Sequence, residues 1–358
     1  AGRTFSSMIK SFISNCDRLR KFEAEFKTEA GRLAYDKTLA NMKKRYPYYV
    51  KEIQGTADGA GVPFFQLFLL HLDDIIDTIN DPLLTRNETG GCSSIAINRP
   101  STAILGHTED AFSETLNHFY ILSAHVIPTE EDRANGAVEE RFASLCYAGQ
   151  LPGYTMGFTE QGLVFSINTL SPKLLKPGNT PRTFLTRAML VASNRHDIEN
   201  ILLDSGLGAA NGFSVNMIWT DVNGDRKLYN FEVAPDQNND TSKLNIKHFT
   251  DCEALIHCNR YERIMVPEVI GPIIDSSRSR LAALHAYNIP ETREDIETMI
   301  SDQKGKTYIV FQDRDEAIVK TIAAGIFDLD EGTWNIFIDM PKSTEPIATL
   351  PIRFSTLI

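Results

Sequence analysis

The spacing of apolar residues changes at Cys92, and this change limits the folds that the chain can adopt. Over residues 5–78, apolar side chains recur at intervals of three and four, as at Ile9, Phe12 and Ile13, which is typical of amphipathic helices. After Cys92 the apolar runs are short and separated by turn residues, which is typical of strands. The first of these predicted strands cover residues 93–98, 103–110, 118–128, 154–158 and 163–168.

The rest of the chain again shows helical patterns followed by strand patterns. Two helical patterns precede a hairpin pattern around Asn223-Gly224, and a helix that begins at the cap pair Thr292 and Asp295 precedes further strands. This order predicts an α+β fold in which two antiparallel sheets lie between helical layers, an αββα sandwich. The predicted helices are 180–193 and 196–203, and the predicted strands are 215–220, 227–233, 319–327 and 334–338.

A Gly-Gly-Cys step, Gly90-Gly91-Cys92, stands at the start of the β region. Because Gly91 lacks a Cβ, the Cys92 thiol can approach its carbonyl in backbone conformations that other residues disfavour. An N-to-S acyl shift and hydrolysis would then leave Cys92 with a free α-amine, whose ordinary pKa of about 8 suits a general base. Cys92 would become an N-terminal nucleophile. On its own, the tripeptide is more typical of a turn followed by a core cysteine.

Two further segments supply polar groups that suit this chemistry. The predicted strand ending at Asp110 follows the one that begins after Cys92, and a turn at 98–101 would bring Asp110 back beside Cys92, where its carboxylate can orient the new α-ammonium. A His-Cys-Asn step ends at Asn259, whose amide can donate to a developing oxyanion. Taken singly, the acid is more typical of a solvated strand end and the asparagine of a turn.

Together, Gly91-Cys92, Asp110 and Asn259 resemble the pattern of the N-terminal-nucleophile hydrolases of the acyl-coenzyme A:isopenicillin N acyltransferase type. Similarity at 45–55 and 228–235 extends the resemblance over most of the chain. The family implies the same αββα layering, Cys92 as nucleophile, Asp110 as the group that orients its amine and Asn259 as an oxyanion donor.

The resemblance also implies cleavage between Gly91 and Cys92. Residues 1–91 would be released as a helical small subunit and 92–358 would form the catalytic large subunit, with the two fragments together making one domain as a heterodimer. An arginine that the transferases carry near their last strands has no counterpart there, where Lys320 is the nearest cation.

Longer segments resemble the family members that hydrolyse β-alanyl amides. They imply hydrolysis of N-β-alanyl-dopamine to dopamine and β-alanine, and of β-alanyl-histamine (carcinine) to histamine. An acyltransferase that moves an acyl group from coenzyme A to an amine through the same Cys thioester is the alternative, and a non-catalytic binding protein with the same fold is a third. The segments are 106–111, 113–120, 145–149, 151–156 and 165–169.

The substrate pocket needs groups that suit a β-alanyl ammonium and an aromatic amine. Glu109 or Asp73 is expected to bind the ammonium. Phe112, Phe119 or Tyr154 could form an aromatic wall for the catechol or imidazole, although each is more typical of a packed core.

Composition excludes several classes of partner. A net charge of −11 and a pI near 5.3 argue against nucleic acid or an anionic membrane, and no apolar run is long enough to span a bilayer. Five cysteines without paired spacing, together with the lack of a recognisable signal peptide, favour a cytoplasmic protein with free thiols. Cys252, His257 and Cys258 lack the spacing of a zinc site, so neither a metal nor a cofactor is expected.

Overall fold

The N-terminal region is helical, as the spacing of its apolar residues predicts. The computed structural model describes residues 1–77, 90–134 and 136–354. The sequence at 80–91 is rich in Asn, Asp, Pro and Gly, which suits a segment that becomes a free end on cleavage, and its residues 80–89 lie outside the described residues. The glycines and proline at 59–63 predict a break between two helices, and this is confirmed, because Gly61 ends a helix in the left-handed conformation with φ 69°. The helices here are α1 (Ser6–Asn15), α2 (Asp17–Phe26), α3 (Glu29–Arg45), α4 (Pro47–Ala60) and α5 (Phe64–Asp77).

Thirteen strands among the described residues form two antiparallel sheets. The first sheet has the order β10-β1-β2-β11-β12-β13, and the second runs in sequence from β3 to β9. The predicted hairpin around Asn223-Gly224 joins β7 to β8. The strands are β1 (Ser93–Arg99), β2 (Thr102–Phe112), β3 (Phe119–Val126), β4 (Glu140–Tyr147), β5 (Met156–Thr159), β6 (Leu163–Leu170), β7 (Gly212–Thr220), β8 (Arg226–Pro235), β9 (Ser242–Phe249), β10 (Ala254–His257), β11 (Val319–Asp328), β12 (Thr333–Phe337) and β13 (Ala348–Pro351).

Helices cover the outer faces of both sheets, so the αββα prediction is confirmed. Side chains that alternate along β2 illustrate the layers: Leu105 points to the core between the sheets, and Ile104 packs under the helices of the outer face. The helix that follows Thr292 begins with the predicted capping box to Asp295. The remaining helices are α6 (Glu130–Ala134), α7 (Arg182–Met189), α8 (Arg195–Leu203), α9 (Pro272–His285) and α10 (Arg293–Ile300).

The pairing of β1 with β2 sets the position of the site. Ser93 lies opposite Thr108 and Ser94 opposite His107, so Cys92 reaches the end of the ladder beside Glu109 and Asp110. The turn between these strands is tight, as the sequence predicts. Helices α1, α2 and α5 pack near this end of the sandwich and close one side of the resulting cleft.

Several elements have no clear signal in the sequence. Helix α9 buries Ser276, Ser277 and Arg280 on its inner face, and these polar residues hide its amphipathic pattern. Strand β9 is mostly half-buried and carries lysines, so its alternation is weak. No helix among the described residues combines the length and the apolar character needed to cross a bilayer.

Candidate active site

A cleft of about 1070 Å³, counting the part open to solvent, lies where β1 begins. It brings together residues that are far apart in sequence. Four of its described lining residues carry carboxyl groups, namely Asp73, Glu109, Asp110 and Glu114. Two carry guanidinium groups, Arg18 and Arg182. Gly91, Cys92, Phe112, Tyr154 and Asn259, all predicted from the sequence, also line the cleft.

Cys92 is buried, with its thiol against the neighbouring strand. The Asp110 N–H donates to its Sγ at 3.5 Å, and the Asp110 carbonyl oxygen lies 3.8 Å from the same sulfur. Burial raises the pKa of the Cys92 thiol well above its ordinary value, and the nearby acids Glu109 and Asp110 raise it further. The thiol is therefore protonated at neutral pH and needs an adjacent base before it can act as a nucleophile.

The residue before Cys92 must be glycine. Gly91 has φ 146°, a backbone conformation that L side chains rarely adopt. A Cβ at this position would lie 2.3 Å from Asn259 Oδ1 and 2.9 Å from Arg280 Nη2. Even a methyl group would therefore displace the polar groups that surround the Gly91–Cys92 peptide.

Asp110 contacts the backbone on the N-terminal side of Cys92. Its Oδ2 accepts from the Gly91 N–H at 3.3 Å, and its Oδ1 accepts from the Thr321 hydroxyl at 2.7 Å. Burial raises the pKa of the Asp110 carboxyl to about 7, against the opposing effects of Arg280 and these two hydrogen bonds. Asp110 can therefore hold or release a proton near neutral pH.

Asn259 and Arg280 form a hydrogen-bonded pair beside Cys92. Arg280 Nη2 donates to Asn259 Oδ1 at 2.8 Å, and Asn259 Nδ2 donates to the Thr169 carbonyl at 3.0 Å. These partners set the orientation of the amide. Arg280 Nη1 also donates to the Cys92 carbonyl at 2.7 Å and to Ser93 Oγ at 2.8 Å. One buried guanidinium thus joins the Cys92 backbone to the Asn259 side chain.

The sequence gives no signal for Arg280. The arginine that the transferases carry near their last strands has no counterpart there, and Lys320, the nearest cation, lies 3.9 Å from Asp315 and is absent from the described lining of the cleft, although its neighbour Val319 lines it. Arg280 comes from α9, and a lone arginine on a helix with a weak apolar pattern gives no signal of its role.

Glu109 lies in the cleft beside Cys92 and is held by two neighbours. The Tyr147 hydroxyl donates to its Oε1, and its Oε2 lies 3.0 Å from His107 Nε2. His107 and Glu109 are two residues apart on β2 and so share a face of the strand. The described contacts that the structure gives Glu109 thus come from a phenol and an imidazole rather than from a guanidinium.

Asp73, the other predicted ammonium-binding acid, is already paired with cations. Its Oδ2 contacts Arg182 Nη2, and its Oδ1 accepts from Arg18 Nη2 at 3.1 Å. The Tyr154 hydroxyl lies 3.5 Å from Oδ2. Asp73 also interrupts α5 with φ 34° and ψ −125°, a strained conformation for a residue with a side chain.

Two of the three predicted aromatic residues line the cleft. The Arg18 guanidinium lies 4.3 Å from the centre of the Phe112 ring. Tyr154 is half-buried, with the Arg182 guanidinium 5.7 Å from the centre of its ring. Phe119 is absent from the described lining. It lies on the edge strand β3 opposite Tyr147 and packs against the core between the sheets, the role that the sequence analysis gave as the more typical one. Tyr147, on the neighbouring strand β4, contacts Glu109.

One group of possible metal ligands occurs in the described part of the chain. Ligand atoms of Cys92, His107 and Glu109 all lie within 4.8 Å of one another. This group differs from Cys252, His257 and Cys258, whose spacing in the sequence does not suit zinc. The sequence signal for this group is that His107 and Glu109 are two positions apart on a predicted strand that pairs with the one after Cys92, so that both side chains lie on one face.

An αββα sandwich in which a buried cysteine directly precedes a strand, and follows a glycine in a conformation that other residues rarely adopt, defines the class of N-terminal-nucleophile hydrolases. Residues 97–343 match the family described as acyl-coenzyme A:6-aminopenicillanic acid acyl-transferase. The chain belongs to this family. It is also 43% identical, over 359 aligned residues that cover 99% of this chain and 92% of the relative, to the beta-alanyl-dopamine/carcinine hydrolase of Drosophila melanogaster.

Proposed function

We propose that the protein is an autoproteolytic thiol amidohydrolase that cleaves N-β-alanyl-dopamine to dopamine and β-alanine, and β-alanyl-histamine to histamine. The observation that carries the proposal is the position of Glu109, a carboxylate without a guanidinium among its described contacts, beside the buried thiol of Cys92. The name of the Drosophila relative supplies the two substrates.

Maturation begins with the attack of Cys92 Sγ on the Gly91 carbonyl carbon. The amide C–N bond breaks as the acyl group moves to sulfur, the Cys92 nitrogen takes up a proton, and water hydrolyses the thioester. The Asp110 carboxyl group, with a pKa near 7 and a hydrogen bond from the Gly91 N–H, is the proposed acceptor of the thiol proton in this step. Arg280 keeps the Cys92 carbonyl in place.

The two fragments, 1–91 and 92–358, would remain associated after the cut. Helices α1 to α5 share one apolar core with Ala148, Leu151, Phe184 and Ala188, all downstream of Cys92. Separating the fragments would expose this core to water, which costs about 25 cal/mol for each Å² of apolar surface. The mature protein is therefore a heterodimer of its own cleavage products.

Turnover uses the α-amine that maturation creates. The amine accepts the Cys92 thiol proton, and the thiolate attacks the substrate amide carbonyl. Asn259 Nδ2, which donates one hydrogen to Thr169, can donate its other hydrogen to the oxyanion. The α-ammonium returns the proton to the leaving amine, and water then releases β-alanine from the β-alanyl thioester. Asp110 orients the amine.

Glu109 is the acid that binds the β-alanyl ammonium. The ammonium is separated from the reacting carbonyl by two methylene groups, so its partner must lie close to the nucleophile. The Glu109 carboxylate lies within 4.8 Å of Cys92 Sγ. Asp73 is less suitable because its carboxylate is already paired with Arg182 and Arg18, which also contact Asp74 and Asp77.

The charge of the cleft favours the hydrolase over the coenzyme A-dependent transferase. Acids outnumber arginines among its described lining residues, which suits an ammonium and opposes the phosphates of coenzyme A. Since both reactions pass through the same thioester, competition between acceptors separates them.

The free state of all five cysteines favours the cytoplasm as the place of action.

Mass spectrometry of the denatured protein, with a product assay, tests the proposal. The expected spectrum shows two species whose masses sum to the 40.1 kDa chain plus one water. The assay should release dopamine from β-alanyl-dopamine without coenzyme A. Cys92→Ala should remain a single, inactive species, whereas Cys252→Ser, at an exposed thiol, should be cut and active. An uncut wild-type chain that turns over the substrate would contradict the mechanism.

A further inference from the structure

The side chains of Cys92, His107 and Glu109 form a compact set of donors at the cleft. All three residues are buried, and their sulfur, nitrogen and oxygen donors lie within 4.8 Å of one another. A tetrahedral zinc ion with ordinary bond lengths separates its ligands by roughly 3.4–3.6 Å. His107 Nε2 and Glu109 Oε2 are 3.0 Å apart, somewhat closer than this separation, and Cys92 Sγ lies within 4.8 Å of both.

Neighbouring groups orient two of these donors. Ser94 Oγ lies 2.8 Å from His107 Nδ1. In the tautomer whose Nδ1 carries the hydrogen, Nε2 has a free lone pair, and this lone pair points toward Glu109. The Tyr147 hydroxyl donates a hydrogen bond to Glu109 Oε1, which leaves Oε2 as the oxygen that can bind a metal. Hydrogen-bonded imidazole and carboxylate ligands of this kind are typical of protein zinc sites.

We propose that Cys92 Sγ, His107 Nε2 and Glu109 Oε2 form an inhibitory zinc site at the nucleophile. On binding, the Cys92 thiol loses its proton to solvent, and the thiolate and carboxylate together balance the charge of Zn²⁺ inside a buried site. Thiolate, imidazole and carboxylate are ligands that zinc accepts, and zinc does not oxidise the thiol. A zinc-bound sulfur cannot attack the substrate, so occupation stops turnover.

The proposed cleavage adds a fourth ligand. Once Cys92 is an N-terminal residue, its α-amine and thiolate can bind one zinc ion as a five-membered chelate ring. This step rests on the proposed function, whereas the three side chains are present with or without cleavage. The mature protein is therefore expected to bind zinc more tightly than the uncut chain.

Cobalt provides a test that does not depend on turnover. The mature protein carrying Cys252→Ser, which removes the exposed thiol, is stripped of metal with a chelator and titrated with Co²⁺. We expect a thiolate-to-cobalt charge-transfer band and tetrahedral d–d bands that saturate at one ion per mature heterodimer and disappear when Zn²⁺ is added. Zinc should inhibit β-alanyl-dopamine hydrolysis, a chelator should restore it, and Mg²⁺, which prefers oxygen ligands, should have no effect.

Variants of the two ligands from β2 decide the outcome. His107→Asn and Glu109→Gln, made in the same background and checked for an unchanged thermal transition, should each weaken cobalt binding at least tenfold. A normal cobalt spectrum in both variants would overturn the proposal, because the thiol alone would then hold the metal. Absence of the charge-transfer band in a correctly cleaved, active protein would also overturn it. An uncut chain that still shows the band would contradict the cleavage but leave the three-ligand site standing.

Discussion

Arg280 Nη2 donates to Asn259 Oδ1 at 2.8 Å, and the Nη1 of the same guanidinium donates to the Cys92 carbonyl at 2.7 Å. The arginine lies on α9, far from both partners in sequence, and is completely buried. Its planar fork can hold both acceptors at once. This geometry fixes the amide proposed to stabilise the oxyanion relative to the proposed nucleophile.

Arg280→Lys should therefore reduce both self-cleavage and turnover by about a hundredfold or more, the usual loss when an oxyanion donor is displaced. Lysine keeps the charge but cannot bridge the two acceptors. Arg278→Lys is the matched control, because Arg278 lies on the exposed face of the same helix. Time courses of cleavage and steady-state rates would measure the effect. Activity of Arg280→Lys within a few-fold of wild type would show that the bridge is not needed.

Gly91→Ala should block cleavage without unfolding the rest of the chain. The added Cβ would meet Asn259 Oδ1 at 2.3 Å, and the residue would have to keep φ at 146°. Gly55→Ala is the control: it lies within α4 with no atom near its Cβ position, so it should stabilise the protein by roughly 0.5–1 kcal/mol. Mass spectrometry and thermal unfolding of both variants check this. Complete cleavage of Gly91→Ala would mean that the peptide moves before the attack.

The sequence predicts those parts of the site in which reactive residues are brought together by neighbouring elements of the chain. A tight turn between β1 and β2 was enough to place Asp110 beside Cys92. Arg280 could not be found in this way, because its position depends on how α9 packs on the first sheet. The packing of Phe119 depends likewise on its distance from the centre of the second sheet, which the spacing of one strand does not reveal.

The pKa of Asp110 makes the stability of the uncut chain depend on pH. In the folded state this pKa is about 7, above the ordinary 3.8, so the contribution of the group is fully present below pH 3.8 and is lost as the pH rises through 7. Between pH 5 and pH 8, the free energy of unfolding should therefore fall by about 3 kcal/mol from this group. Chemical denaturation of Cys92→Ala and of Cys92→Ala with Asp110→Asn, both uncut, would measure it. Equal pH dependence in the two proteins would contradict the raised pKa.

Glu109→Gln should remove the preference for an acyl group that carries an ammonium. A hydrogen bond to a charged group contributes about 1.5–3 kcal/mol, so kcat/KM for β-alanyl-dopamine should fall roughly 10- to 100-fold, while that for propionyl-dopamine, which lacks the amine, should change little. Asp73→Asn is the comparison, because Asp73 is already paired with Arg182 and Arg18, so its loss should leave the ratio of the two substrates unchanged. If the ratio instead collapses in Asp73→Asn and persists in Glu109→Gln, the ammonium binds at the kink of α5 and the two acids exchange roles.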